Sequence, residues 1–387
     1  MNSSSDEEEM LALFTVMRKC RKRKWVHDIN KKREQLGEYH RLCRELESFK
    51  DRFFIYFRMS RECFETLHQL LEPKIEKFTT NWRRPIPARE RLAICLRHLA
   101  TGDSHQTIAF SFRLGRSTVS KIVKEVCKEI WNVLQPLHLP TPTEESWKRA
   151  EIGFREIWNF PNCIGSIDGK HIRLKCPCNS GSNYFCYKNF FSIVLLAIVD
   201  PFYKFLVVDI GSYGRHSDSG IFENSKFYRE FIAEKTLLPP KPLPGTNTSV
   251  PHVLIGDEGF GLHTFLMRPF PKSAILNDPR KKQFNQRLSR ARRVVENAFG
   301  ILTQKWRIFF RPIETNVETA VLIVQAACCL HNYIRNNTSD LTTDIIEQGE
   351  NGQPRALLSQ TPSNRRANSV AFEVRQHFVN YFNNDSL

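Results

Sequence analysis

Apolar residues recur at two different periods along this chain, and the change of period divides it. Through residues 51–150 the spacing is helical. The aromatic stretch Asp51-Arg-Phe-Phe-Ile-Tyr-Phe-Arg-Met leads to Ser60, an N-cap for a helix over residues 62–71. A second helix is predicted over about 88–100, stopping at Gly102. Ser104 then caps a short helix through Phe112, Leu114-Gly115 makes a turn, and Val119, Ile122, Val123, Val126 and Ile130 recur at helical spacing. Helix, short helix, glycine turn, helix is the layout of a helix-turn-helix. In that layout the last helix enters a major groove and turns Arg116, Ser117, Thr118, Ser120, Lys121 and Lys124 toward bases and phosphates. An ordinary three-helix unit with a wet polar face gives the same pattern.

Residues 151–335 change character. Residues 163–174 carry Ile164, Ile167, Ile172 and Leu174, a short strand broken by Gly169. Residues 190–199 and 204–210, on either side of Asp200-Pro201, predict a buried antiparallel hairpin. Residues 252–255 supply a fourth strand, and helices are expected over 219–234, 283–305 and 317–335. The outcome is an α/β layout, a mixed sheet with helices, compatible with an RNase H-like core. Residues 136–142, with Pro136, Pro140 and Pro142, read as a hinge. The chain thus divides into a tail or arm (1–50), a helical domain (51–140), an α/β domain (151–335) and a mostly disordered tail (336–387). Within that tail, 336–368 are rich in Asn, Thr, Ser, Gln and Gly, and 371–382 suit one last short helix. No internal repeat is evident.

Charge adds a partner to this picture. The chain has 387 residues and a formal net charge of +16, with 41% hydrophobic residues, enough for substantial cores. An excess of Lys and Arg attracts polyanions. It is concentrated near the start, at Arg18, Lys19, Arg21, Lys22, Arg23 and Lys24, then Lys31, Lys32 and Arg33, a run that suits nuclear import, DNA-backbone contact or a solvated tail. No secretory signal opens the chain, and no window offers the ~18 uncharged apolar residues of a membrane helix. The expectation is therefore an intracellular protein with no membrane partner. The 11 cysteines then read as reduced thiols, mostly small core residues, and the spacing of Cys176, Cys178 and Cys186 matches no common zinc pattern.

Three acids stand out by position. Asp168 interrupts an otherwise apolar strand, and a lone buried carboxylate is costly unless paired, hydrogen-bonded or bound to a cation. Asp257 lies at the C-terminal end of the strand in Val253-Leu-Ile-Gly-Asp-Glu-Gly-Phe, a common place for functional residues in open α/β sheets. Glu296 borders the apolar stripe Leu288, Ala291, Val295, Leu302 and Trp306. Two aspartates from strands and a glutamate from a helix are hard oxygen ligands, suited to Mg²⁺ or Mn²⁺ rather than zinc. Two such ions about 4 Å apart activate a water or 3′-hydroxyl in phosphodiester transfer. Each acid has a plainer reading: a turn with Gly169, the loop 256–261, and a surface ion pair with Arg292 or Arg293. Asp218 competes for the second position, although its place suits a helix cap. Just before Glu296 comes a positive cluster, Arg280, Lys281, Lys282, Arg287, Arg290, Arg292 and Arg293, with no acid from Pro279 to Val295, fit to hold a phosphate backbone.

Several segments resemble a known family, the PIF/Harbinger transposases and the host nucleases derived from them. They include Trp25-Val-His-Asp-Ile-Asn, Gly37-Glu-Tyr-His, Phe53-Phe-Ile-Tyr-Phe-Arg-Met-Ser and Ser117-Thr-Val-Ser-Lys-Ile-Val. Further on come Trp158-Asn-Phe-Pro-Asn-Cys-Ile-Gly-Ser-Ile-Asp-Gly-Lys-His-Ile, Gly214-Arg-His-Ser-Asp-Ser-Gly-Ile-Phe and Gly256-Asp-Glu-Gly-Phe. The last are Val294-Val-Glu-Asn-Ala-Phe-Gly-Ile-Leu, Trp306-Arg-Ile-Phe and Leu330-His-Asn-Tyr, so the likeness runs from about Trp25 to Arg335. It implies an RNase H-like DDE nuclease domain over 151–335, with Asp168, Asp257 and Glu296 as catalytic and metal-holding carboxylates. It also implies DNA as substrate, strand transfer by the freed 3′-hydroxyl, and a Myb-like accessory protein. Where such proteins usually continue with Pro-Leu after the phenylalanine of Gly-Asp-Glu-Gly-Phe, this chain has Gly261-Leu262.

The expectation is a nuclear, metal-dependent DNA endonuclease, present in the cytoplasm as well if import is partial, with a homo-oligomer left open. A domesticated DNA- or chromatin-binding protein without catalysis is the alternative. An RNase H-like enzyme acting on RNA would share the metal chemistry.

Overall fold

The computed structural model describes residues 26–78, 85–232, 238–337 and 369–384. The basic residues 18–24, Trp25 and most of the expected disordered stretch lie outside the described residues.

The helical half begins earlier than the aromatic run suggests. Short helical turns Asp28–Lys31, Arg33–Leu36, Tyr39–Cys43 and Arg44–Leu46 precede α1, Lys50–Phe57. Arg33, expected in a solvated basic arm, is instead buried, and its Nη1 donates to Glu90 Oε2 at 2.9 Å. The Tyr56 hydroxyl donates to Glu38 at 2.6 Å. These long-range partners place the described part of the arm within the helical half, which corrects the boundary at residue 50.

Helices α2, Arg61–Ile75, and α4, His105–Phe112, start where Ser60 and Ser104 accept from the amides of Cys63 and Thr107. Between them α3, Ala88–Thr101, stops at Gly102, whose φ of 71° suits a residue without Cβ. After the turn at 113–115 comes α5, Arg116–His138, which buries Val119, Ile122, Val123, Val126, Cys127, Ile130 and Leu134. The order helix, short helix, glycine turn, helix is thus present at the expected residues.

Helix α6, Glu144–Trp158, leads into the sheet. Its strands are β1, Cys163–Arg173; β2, Ser192–Val199; β3, Phe205–Tyr213; β4, Val253–Ile255; and β5, Leu266–Met267, ordered β3-β2-β1-β4-β5. The β1–β2 and β2–β3 pairs are antiparallel, while β4 joins β1, and β5 joins β4, in parallel. The predicted hairpin is β2–β3. Strand β1 runs unbroken through Gly169, contrary to the expected interruption, because Gly169 keeps its place opposite Leu196 of β2. The expected helix over 219–234 is interrupted: α7 covers Asp218–Asn224, breaks at Ser225, and a further helical turn covers Tyr228–Ile232.

Two long helices close one face of the sheet: α8, Pro279–Lys305, and α9, Val317–Asn337. By length and composition α9 is apolar enough to cross a membrane, but it is mostly buried within this fold. Helix α5 packs along it. Asn332 of α9 ties three segments, donating to the carbonyls of His138 and Phe205 and accepting from the Phe205 amide. The Tyr333 hydroxyl donates to the Cys63 carbonyl at 2.7 Å. One continuous core therefore runs from the helical half into the sheet. This corrects the hinge at 136–142: Pro136 lies in the last turns of α5, and apolar packing on both sides leaves no free linker. The last helix, α10, Ser369–Asn384, docks on α8, with Phe378 and Phe382 against Phe160 and Gln283 donating to the Phe382 carbonyl at 2.6 Å.

Candidate active site

Successive side chains of a strand point to opposite faces. On β1 one face carries Ser166, Asp168 and Lys170, and the other Ile167 and Gly169. The first face meets α8: Ser166 Oγ donates to the Arg292 carbonyl at 3.2 Å, and Lys170 Nζ lies 5.8 Å from the centre of the Phe299 ring. Ile164 and Ile167 belong to a second apolar cluster on the opposite face, with Ile221, Phe222 and Phe260. Asp168 is thus turned toward the helix that bears Glu296.

Asp257 arrives by register. Ser166 pairs with Ile255 in the parallel β1–β4 ladder; Asp168 lies two residues further along β1, and Asp257 two residues past the end of β4. Each half-buried carboxylate also binds a local amide. Asp168 accepts from Gly169 N at 2.8 Å, and Asp257 accepts from Gly259 N at 2.9 Å. The turn readings of both residues are therefore real, and they coexist with the juxtaposition. Burial, then the charges of Asp257 and Asp218, push the Asp168 carboxyl up to about 8, against the opposing pull of Arg292. A carboxyl in that state is short of positive charge.

Helix α8 starts at Asp278, which accepts from the Arg280 amide at 3.1 Å, followed by Pro279 in the first turn. It buries Phe284, Leu288, Ala291, Val294, Val295, Ala298 and Leu302, a wider stripe than the expected one. Glu296 borders it, and its Oε1 lies 2.6 Å from Nη2 of Arg292, one turn earlier. Glu296 thus makes the ion pair expected of a plain helix-surface acid, but with an arginine that also acts on Asp168.

Asp218 does not cap α7. Ser217 does, accepting from the Gly220 amide at 3.3 Å. Asp218 occupies the first turn, is buried, and sets its carboxylate against Gly169 from the face of β1 that Ile167 shares. Period-two counting from Asp168 would have revealed Lys170 as a neighbour on the same face. Nothing in the sequence revealed Asp218 as the carboxylate packed on Gly169.

On the outer side of α8 an open groove is lined by Lys282, Gln283, Gln286, Arg287 and Arg290. Lys282, Arg290 and Arg293 are exposed, Arg287 is half-buried, and none of the four forms an ion pair among the described residues. Lys281 instead pairs with Asp278 at 3.4 Å. On α5, Arg116, Ser117, Lys121 and Lys124 are exposed and Thr118 and Ser120 half-buried; Lys124 pairs with Glu318 at 3.4 Å. Both basic surfaces are open to a phosphate backbone.

Among the described residues no three His, Cys, Asp or Glu side chains stand as a ready-made metal cage. The donor chemistry nevertheless fits a hard cation. Asp168, Asp257 and Glu296 offer only oxygens, and burial, then neighbouring negative charge, raises the first. Glu296 is engaged by Arg292 at 2.6 Å.

The sequence is similar to those of known proteins. Residues 167–332 match the family described as DDE superfamily endonuclease, and 33–132 match a domain of unknown function. An Arabidopsis thaliana protein named ALP1-like is 29% identical over 328 residues, 81% of this chain and 75% of the relative. The Arabidopsis thaliana protein named Antagonist of like heterochromatin protein 1 is 27% identical over 285 residues, 69% and 67%. A Rattus norvegicus protein named Putative nuclease HARBI1 is 23% identical over 335 residues, 83% and 91%. No solved structure matches the chain.

Proposed function

Because the chain belongs to the family of Harbinger transposase-derived nucleases, we propose that it cleaves DNA phosphodiester bonds with Asp168, Asp257 and Glu296. The observation that carries this reading is the placement of Asp168 on β1, on the face crossed by the Glu296 helix, with Asp257 just past the end of the neighbouring parallel strand β4. The sheet order β3-β2-β1-β4-β5, with three antiparallel strands followed by two parallel ones, supports an RNase H-like core. A bound Mg²⁺ or Mn²⁺ would lower the pKa of an attacking water or hydroxyl and neutralise the leaving oxygen.

The chain's own residues do the rest. Asp168 and Asp257 are pre-positioned by β1 and β4, and their local amide bonds limit side-chain rotation. Glu296 joins them from α8 when it leaves Arg292. The groove residues Lys282, Arg287 and Arg290, with Arg293, would hold the phosphate backbone alongside, without reading sequence. Helices α4 and α5 would read a groove in the manner of a helix-turn-helix, with Arg116, Ser117, Thr118, Ser120, Lys121 and Lys124 outward. A DNA substrate would make the nucleus its place of action.

The test is Mg²⁺-dependent nicking of duplex DNA by the wild type, beside a chelated sample and Asp168→Ala. Nicking by the loaded wild type alone supports the reading, and equal nicking by Asp168→Ala removes the triad from the mechanism. An RNA–DNA hybrid assayed in parallel separates a DNA enzyme from one acting on RNA.

A second reading rests on a relative named as an antagonist of a like-heterochromatin protein. Under it the chain binds DNA or chromatin without cutting. Salt-sensitive DNA binding that persists in triad variants, with no cleavage under any divalent ion, would favour it.

A further inference from the structure

Arg292 differs from the other arginines in its row. Arg290 and Arg293 are exposed and form no ion pair among the described residues, whereas the Arg292 side chain is only 19% exposed. Its backbone is tied to the site, since its carbonyl accepts from Ser166 Oγ, two residues before Asp168 on the same face of β1. Its guanidinium bonds Glu296 at 2.6 Å. A surface pair four residues apart on a helix contributes little and needs no such anchoring. Here the guanidinium is largely covered, and its helix is anchored to the strand that bears Asp168.

We propose that Arg292 is a positioning residue, a built-in counter-ion that holds Glu296 until a divalent cation takes its place. The inference rests on the metal-dependent reading of the site. A guanidinium and a divalent cation attract the same oxygens and repel each other, so they compete for the cluster. Without a metal, Arg292 keeps like charges from accumulating where β1, β4 and α8 meet. On loading, Glu296 must exchange a charge-assisted hydrogen bond for a metal bond, and Arg292 must swing outward. The competition makes an otherwise attractive cation site weaker than its carboxylates alone would make it.

The experiment is Mn²⁺ titration calorimetry on the full chain, with thermal melting in a chelator as a second readout. The variants are Arg292→Gln, Arg292→Lys and Asp168→Asn, and Arg292→Met, which keeps the apolar stem, replaces the first if it misfolds. Removing the competitor should tighten Mn²⁺ binding about tenfold, equivalent to about 1.4 kcal/mol. The same variant should melt lower than wild type in chelator, and Arg292→Lys should stay near wild type in both. Tighter binding by a less stable protein is a result that a merely structural arginine would not give. Unchanged or weaker binding in Arg292→Gln, with Asp168→Asn weakened, overturns this inference alone. A wild type that binds no Mn²⁺, or an Asp168→Asn that binds equally well, overturns the metal reading and this inference together.

Discussion

The carboxylate of Asp218 fills the space in which a side chain at residue 169 would lie, its Oδ1 overlapping the place of a Cβ on Gly169. Neither side yields cheaply. Gly169 is held between its β2 partners, and Asp218 is buried in the first turn of a helix that Ser217 caps. Gly169→Ala should therefore destabilise the fold by roughly 1–3 kcal/mol through overpacking. Denaturant midpoints check this, and Gly169→Ala combined with Asp218→Ala should recover part of the loss.

Asp168 predicts a pH dependence in metal-free protein. Its folded pKa, about 8, lies above the ordinary value of 3.8. Folding therefore favours its protonated form, and that contribution is complete below the ordinary value and lost as pH rises through about 8. Between about pH 6 and about pH 9 the chelated wild type should lose stability that Asp168→Asn keeps. A parallel decline in both proteins would show that the carboxyl titrates normally.

The union of the two halves rests partly on Asn332. Its side chain makes three hydrogen bonds, to His138 and twice to Phe205. Asn332→Ala leaves buried backbone groups without partners and should cost about 2–4 kcal/mol. Because the core is continuous, chemical unfolding should remain one transition at a lower midpoint. Two separate transitions would instead restore a hinge between independent domains.

If the outer face of α8 carries DNA, its charges should appear in the salt dependence of binding. Replacing Arg287 or Arg290 by Gln should lower the slope of log affinity against log salt by about 1 each. The loss should be nearly uniform across DNA sequences, as expected for phosphate contacts. An unchanged slope would place the DNA elsewhere.

The sequence was most informative where one residue reports its own environment. The buried stripe of α8, the β2–β3 hairpin and the caps at Ser60 and Ser104 follow from periodicity and side-chain chemistry, and the structure has them at the expected residues. It was least informative where a distant partner decides. Arg33 belongs to a basic run by composition, yet Glu90, 57 residues away, buries it. Gly169 reads as a strand breaker until Asp218 is seen to need its missing side chain. Ser217 and Asp218 are both good caps, and only the backbone shows which one serves. The two-residue β5 is too short for any periodic signal. At the site, the positions of Asp168 and Asp257 were legible as acids on a strand and at a strand end, but their juxtaposition depends on a parallel register between segments far apart in the chain.

The most direct measurement compares plasmid nicking in Mg²⁺ by Asp168→Ala, Asp257→Ala, Glu296→Gln and the triple variant. Groups that act as one unit are not additive, so each single change should reduce the rate as far as the triple does, by on the order of 10³-fold or more. A single variant that retains activity well above the triple would contradict a shared centre and remove that residue from it.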